Sequence, residues 1–361
     1  MRRQGTKRCK PARFAGIGRR RRNRPGSRGL LLRLGLLGLL ASGGALLGLG
    51  LDPDALAGGS GMAGPQAALS EGPLPADLQR SAGIQHHVGD PENVCLAADG
   101  RAASEKQAEI AELMAVLRHS PLGAELLETA AARDVILCLD DDTELLAYYF
   151  PGLRLIGIRQ SLSRDRRIAF LAHELAHVPQ HPLFSDSRYL PPRDLLLLRR
   201  IREAAAEATA TRIAWQLAQA GFESIWQAKR QGVYGDLARA FEGAFQAGLQ
   251  GEQGPEPELR ATRAAFDRWF SKGWRLDTYD RMTLEHLARL AEDEIGLVKP
   301  RQRLTDAFLR SIGRQGGHNY LADTTGPRLT DPYYRDTLSP ANAGLLDSVI
   351  SGSAQAIQPS G

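Results

Sequence analysis

Cysteine is scarce in this chain, three residues in 361, and none of them forms a CxxC pair. A cysteine-ligated metal site is therefore excluded. Also missing are a glycine-rich loop that would cradle phosphates, a serine on a nucleophile elbow, an RNA-binding motif and any internal repeat. Acidic residues are absent from the first 51 positions, the first being Asp52. With 24% charged, 43% hydrophobic and 6% aromatic residues, the composition is that of a globular protein, which excludes global disorder and collagen-like structure.

The formal net charge of +5 suggests a nucleic-acid binder until it is divided along the chain. Residues 1–33 carry 13 Lys or Arg, and removing them from 46 leaves 33 basic residues against 41 acids, about −8 for the rest. The basic run leads into Leu34–Leu51, which is uncharged, rich in Leu and Gly, and just long enough to span a bilayer. Positive charge before it and Asp52 and Asp54 after it predict a cytoplasmic N-terminus. Two readings stand: an uncleaved single-pass anchor, or a signal peptide cut after Ala55-Leu56-Ala57. Either puts the body outside the cytoplasm, in the periplasm of a bacterium or secreted, with no role for nucleic acid. The expected organisation is a basic cytoplasmic arm (1–28), a membrane or signal segment (29–51), a Gly/Pro/Ala/Ser-rich linker (52–80), a folded domain (81–315) and an irregular tail (316–361). In such a compartment Cys95 and Cys138 can pair, although Cys138 in an apolar strand reads equally well as a buried thiol.

Within the body, periodicity predicts helices over 103–119 and 121–133, then strands around 135–139, 145–150 and 153–158 that form a hairpin or small meander. Downstream, helices are expected over 164–179, 193–220, 235–249, 257–271, 278–294 and 302–312. The fold class is α+β, mostly α, with a small antiparallel sheet beside a helical mass.

The chemistry lies in Leu171-Ala172-His173-Glu174-Leu175-Ala176-His177, an HExxH motif. One helical turn separates His173 from His177, so both imidazoles can converge on one Zn²⁺. Glu174 can reach a water in the open metal position and take its proton as the water attacks a carbonyl. Chance yields this motif on the order of once per hundred such chains. Ser163 is the expected N-cap, and Pro179 the expected end of the regular helix. Further on, Glu203 and Glu207 lie one turn apart amid small residues, as a third ligand and its supporting carboxylate would. The strand at 153–158 suits either an edge that pairs with extended substrate or an interior strand.

HELAH followed by EAAAE resembles a zincin metallopeptidase of the gluzincin type. The run FPGLRLIGI, HELAHVPQ and EAAAEATATRIAW more closely resembles an uncharacterised bacterial family of metallopeptidases, over about residues 135–220. The resemblance implies His173 and His177 as zinc ligands, Glu174 as general base and Glu203 as third ligand. Glu207 stands where gluzincins usually carry an Asp that supports a ligand, and the longer side chain leaves the two glutamates interchangeable at this point.

His318 and Tyr320, in the Gly-flanked run Gly316-Gly317-His318-Asn319-Tyr320, are candidate donors to the transition-state oxyanion. Gln180 can orient a ligand but suits a capping or surface role better, and the tryptophans suit the core. The expected activity is hydrolysis of peptide bonds in a peptide or protein substrate, with Zn²⁺ as cofactor and the membrane as tether. Two alternatives share the site: a catalytically silent zinc- or partner-binding envelope protein, and an amidase acting on cell-wall peptides.

Overall fold

A computed structural model describes residues 94–101, 104–140, 145–181, 190–250, 256–292, 304–315, 317–322 and 327–356. The basic arm, the apolar segment and the linker expected at 1–80 lie outside these residues. Among the described residues, no helix is long and apolar enough to cross a membrane.

The described part is α+β and mostly α, as the sequence implies. It opens with β1 (Val94–Ala97), α1 (Glu105–Leu117) and α2 (Pro121–Ala131), followed by β2 (Ile136–Asp140), β3 (Ala147–Phe150) and β4 (Leu155–Arg159). Ser104 and Ser120 cap α1 and α2 by accepting from the backbone N–H three residues on. The sheet order is β1-β2-β4-β3, with β2 and β4 parallel and both outer pairs antiparallel. The sheet is thus mixed rather than wholly antiparallel, and β4 is interior instead of an edge. A run buried on both faces, as Leu155 to Ile158 is, belongs to an interior strand. The edge next to β4 is β3.

Gly157 in β4 sits opposite Tyr148 of β3. A Cβ at Gly157 would lie 2.1 Å from the Tyr148 ring, so only glycine admits that ring. Tyr148 lies across it and donates to buried Asp140 at 2.8 Å. Cys95 and Cys138 face each other across the β1–β2 ladder and form a disulfide, so the paired reading of these cysteines holds.

Then follow α3 (Arg164–Gln180), α4 (Pro192–Gln219), α5 (Glu223–Gln231), α6 (Gly235–Leu249), α7 (Pro257–Trp269), α8 (Gly273–Glu292) and α9 (Asp306–Ser311). A short hairpin of β5 (Arg314–Gln315) and β6 (His318–Asn319), then α10 (Pro332–Arg335) and α11 (Pro340–Ala356), completes the chain. The C-terminal stretch is therefore not irregular: α11 packs on α8.

Helix α4 is the axis of the helical mass. It touches α1, α2, α3, α5, α6, α7, α8 and α10, and it is buried on every face, as a helix with little amphipathic bias must be. Helix α3 lies between α4 and the sheet, packing on α4, β3 and β4. Its Ile168, Leu171, Leu175 and Val178 are all fully buried, the stripe read from the sequence. Ser163 is the N-cap by backbone conformation, though its side chain caps nothing. Pro179 does not end the helix, which runs on through Gln180.

Candidate metal centre

Two helices build the site. On α3, His173, Glu174 and His177 are all buried. On α4, so are Glu203 and Glu207. The alanines around the two glutamates, Ala204, Ala205, Ala206 and Ala208, are buried without exception and let neighbouring helices approach closely.

The side chains converge. His173 Nε2 and His177 Nε2 are 3.1 Å apart, and Glu203 Oε2 lies 3.6 Å from the first and 3.7 Å from the second. Two ligand atoms each about 2.0–2.1 Å from a tetrahedral zinc stand roughly 3.3 Å apart, so this triangle has the dimensions of one face of such a site. These three residues form the group among the described residues able to offer a metal three ligand atoms within 4.8 Å of one another. Both Glu203 oxygens are buried yet accept no hydrogen bond from the described residues, Arg199 Nε being 3.6 Å from Oε1. A buried carboxylate left this way, beside two imidazole nitrogens, is what a cation would satisfy.

Each histidine is held from behind. His173 Nδ1 is 3.0 Å from Glu207 Oε1. His177 Nδ1 is 2.9 Å from Gln180 Oε1, and Gln180 Nε2 donates to the Arg202 carbonyl at 3.2 Å. His177 Nδ1, hydrogen-bonded to Gln180, and His173 Nδ1, facing the Glu207 carboxylate, both leave Nε2 directed at the shared point. Glu203 faces that point and Glu207 faces the back of His173. Gln180, buried at the end of α3, is a support of His177 rather than a surface residue.

Burial works against a charge on either histidine. At His173 the Glu207 and Glu203 carboxylates outweigh burial and lift the pKa to about 10. At His177 burial prevails over Glu203 and lowers it to about 4. Two imidazoles 3.1 Å apart keep one proton between them, and the flanking carboxylates put it on His173. Burial pushes both glutamates up, but the surrounding charges win and bring each down to about 2: His177, His173 and Arg199 at Glu203, Lys229 and His173 at Glu207. The Glu203 and Glu207 carboxylates draw a cation to the two imidazoles, whether a proton or a metal.

Lys229 was not singled out in the sequence. It lies on α5, is buried, and forms an ion pair with Glu207 Oε2. The signal was present in Glu223-Ser224-Ile225-Trp226-Gln227-Ala228-Lys229, where a lysine shares the inward face with Ile225 and Trp226.

His318 and Tyr320 are not brought to the cluster. Opposite His318 in the β5–β6 hairpin is Gln315, which donates to Thr209 of α4. Thr209 is two residues past Glu207, about 200° around the helix, so the hairpin packs on the side away from the histidines. His318 is exposed there. Tyr320 is buried against Phe266, and the charges that act on it are those of Arg263, Asp267 and Arg212. Asp140 serves the sheet as acceptor for Tyr148, while 141–144 lie outside the described residues.

No curated protein and no solved structure is significantly similar to this chain. A family model described as "Putative metallopeptidase family (DUF6782)" matches residues 85–322, which hold both helices of the cluster and about two thirds of the chain. The chain belongs to that metallopeptidase family.

Proposed function

We propose that this protein is a zinc-dependent peptidase of the gluzincin type, in which His173, His177 and Glu203 hold the metal and Glu174 is the general base. The observation that carries this reading is the triangle of 3.1, 3.6 and 3.7 Å formed by the two Nε2 atoms and Glu203 Oε2. Bound zinc would supply Lewis acidity and lower the pKa of a water in its open position toward about 7. Glu174, buried beside His173 and close enough to act on its charge, would take the proton of that water and pass it to the leaving amine. Glu207 and Gln180 would keep both imidazoles aimed while this happens. The edge strand of the sheet next to α3 is β3, whose backbone would pair with an extended substrate. A peptide or protein substrate follows from the family.

The body would work outside the cytoplasm, tethered by the apolar segment at 29–51 or released by its cleavage. The basic arm before that segment and the Cys95–Cys138 disulfide support this placement, since disulfides persist in oxidising compartments.

Metal analysis together with hydrolysis of casein and peptide libraries tests the reading. Wild type should hold about one zinc per chain and cleave. Glu174→Gln should keep the zinc and lose cleavage by at least a hundredfold, and His177→Ala should lose both. Equal cleavage by wild type and Glu174→Gln would sink the mechanism. Zinc without hydrolysis of any substrate would favour a silent zinc-binding envelope protein on the same scaffold.

A further inference from the structure

We propose that Lys229 is a positioning residue for the metal centre, which locks Glu207 behind His173 and leaves Glu203 as the carboxylate that ligates. The inference rests on the zinc reading above and extends it to a third helix.

Glu207 has two oxygens and both are committed. Oε1 stands 3.0 Å from His173 Nδ1, and Oε2 is in an ion pair with Lys229 Nζ. Glu203, one turn earlier, has neither oxygen within hydrogen-bond length of a described donor. The two glutamates are alike in burial, and while Arg199 Nε comes no closer than 3.6 Å to Glu203, Lys229 is in direct contact with Glu207. The lysine is itself fixed: its stem is buried, and its ammonium lies 5.5 Å from the centre of the Tyr234 ring. Helix α5 packs on both α3 and α4, so it reaches the seam where His173 and Glu207 meet. A carboxylate buried there without a cation would carry an uncompensated charge. Paired with Lys229, it holds one conformation and presents one oxygen to the imidazole.

The sign of the effect on metal affinity separates this role from a simple charge effect. Lys229 is a cation near a site for a cation. Acting by charge alone, it would repel the metal, and its removal would tighten binding. Acting through Glu207 and His173, its removal loosens a ligand and weakens binding, by roughly 10–100-fold as for other outer supports of metal-bound histidines.

The experiment measures zinc affinity by competition with a chromogenic chelator on wild type, Lys229→Met, Lys229→Arg, Glu207→Gln and the Lys229→Met/Glu207→Gln double variant. Circular dichroism and thermal melting of each metal-free protein restrict the comparison to folded variants. Expected results are 10–100-fold weaker zinc in Lys229→Met, recovery in Lys229→Arg, and a double variant no weaker than the poorer single one. Co²⁺ substitution should show an altered ligand-field absorption in Lys229→Met and a wild-type band in Lys229→Arg. Unchanged or tighter zinc in Lys229→Met overturns the proposal, as do additive losses in the double variant. Should Lys229→Met fail to fold, the Lys229→Arg and Glu207→Gln measurements decide: full affinity in Glu207→Gln overturns it. A wild type that binds no zinc fails at the earlier step and refutes the metal site itself.

Discussion

Arg200 offers the sharpest test of how the helix that carries Glu203 is held. It is completely buried, on α4, three residues before Glu203. Its Nε donates to Asp280 Oδ1 at 2.7 Å and Nη2 to Asp280 Oδ2 at 2.5 Å, a bidentate pair with α8. Nη1 donates to the carbonyls of Tyr334 and Arg335 at 2.9 and 3.1 Å, and Nη2 also to that of Thr337 at 3.2 Å. Those contacts use all five guanidinium donors. Replacing Arg200 by Met keeps most of the volume and removes every one of them. The main cost is Asp280, 1% exposed, which is left as an unpaired buried charge. Burial already holds this carboxyl above the usual carboxylate range despite Arg200. Breaking such a pair from one side costs about 3–5 kcal/mol, a large share of the roughly 5–15 kcal/mol that keeps a domain folded. The three carbonyls add little if water reaches them. Urea unfolding followed by circular dichroism should therefore show Arg200→Met losing about 3–5 kcal/mol. Arg200→Lys should fall between, since three donors and no fork replace five. Arg200→Met combined with Asp280→Leu should regain most of the loss, because an apolar pair of similar volume has no charge to desolvate. A loss below about 1 kcal/mol in Arg200→Met, or a double variant no better than it, would refute the buried-charge argument.

Three further outcomes are expected. Gln180→Leu should weaken zinc binding by roughly 10–100-fold while Gln180→Glu, which retains an acceptor for His177 Nδ1, stays near wild type; equal affinity in all three proteins would remove Gln180 from the site. In metal-free protein the His173 pKa, about 10, lies above its unfolded value of 6.5, so its contribution is complete below about pH 6.5 and disappears as pH rises toward 10. The unfolding free energy from urea titration in chelator should fall from pH 7 to pH 9, by at most about 1.4 kcal/mol per pH unit, and the fall should shrink in Glu207→Gln; the same slope in both would contradict the assigned cause. Removing the Cys95–Cys138 disulfide, which joins residues 43 apart, by a double Ser substitution should cost about 2–4 kcal/mol, whereas an unchanged unfolding curve would mean that the bond constrains nothing in the unfolded chain.

What could be read from the sequence and what could not follows the range of each interaction. His173 and His177 share a face because a helix repeats every 3.6 residues, so their convergence needs no tertiary information. Helix α4 was equally legible, within a residue at either end, because 28 residues without an interior glycine or proline have no competing structure. The role of each glutamate was not legible from spacing alone, because the ion pair that holds Glu207 comes from a third helix. That helix, α5, has nine residues and lies between Gly221 and Gly232, where the spacing reads as a loop. The interior position of β4 was hidden for a related reason. Its parallel partner β2 is separated from it by β3, and a strand's own residues do not say which neighbour it will take. The tail was misread because α11, Pro340-Ala341-Asn342 onward, is rich in small residues and shows its helical character only where Leu346 and Val349 are buried. The same division holds inside the centre itself: the two histidine nitrogens and the support of Gln180 come from spacing along α3, whereas Glu203 is brought to them by the packing of α4 and Lys229 by that of α5. Substituting the HExxH residues therefore asks whether a metal binds, while substituting that surrounding ring asks why these ligands hold it.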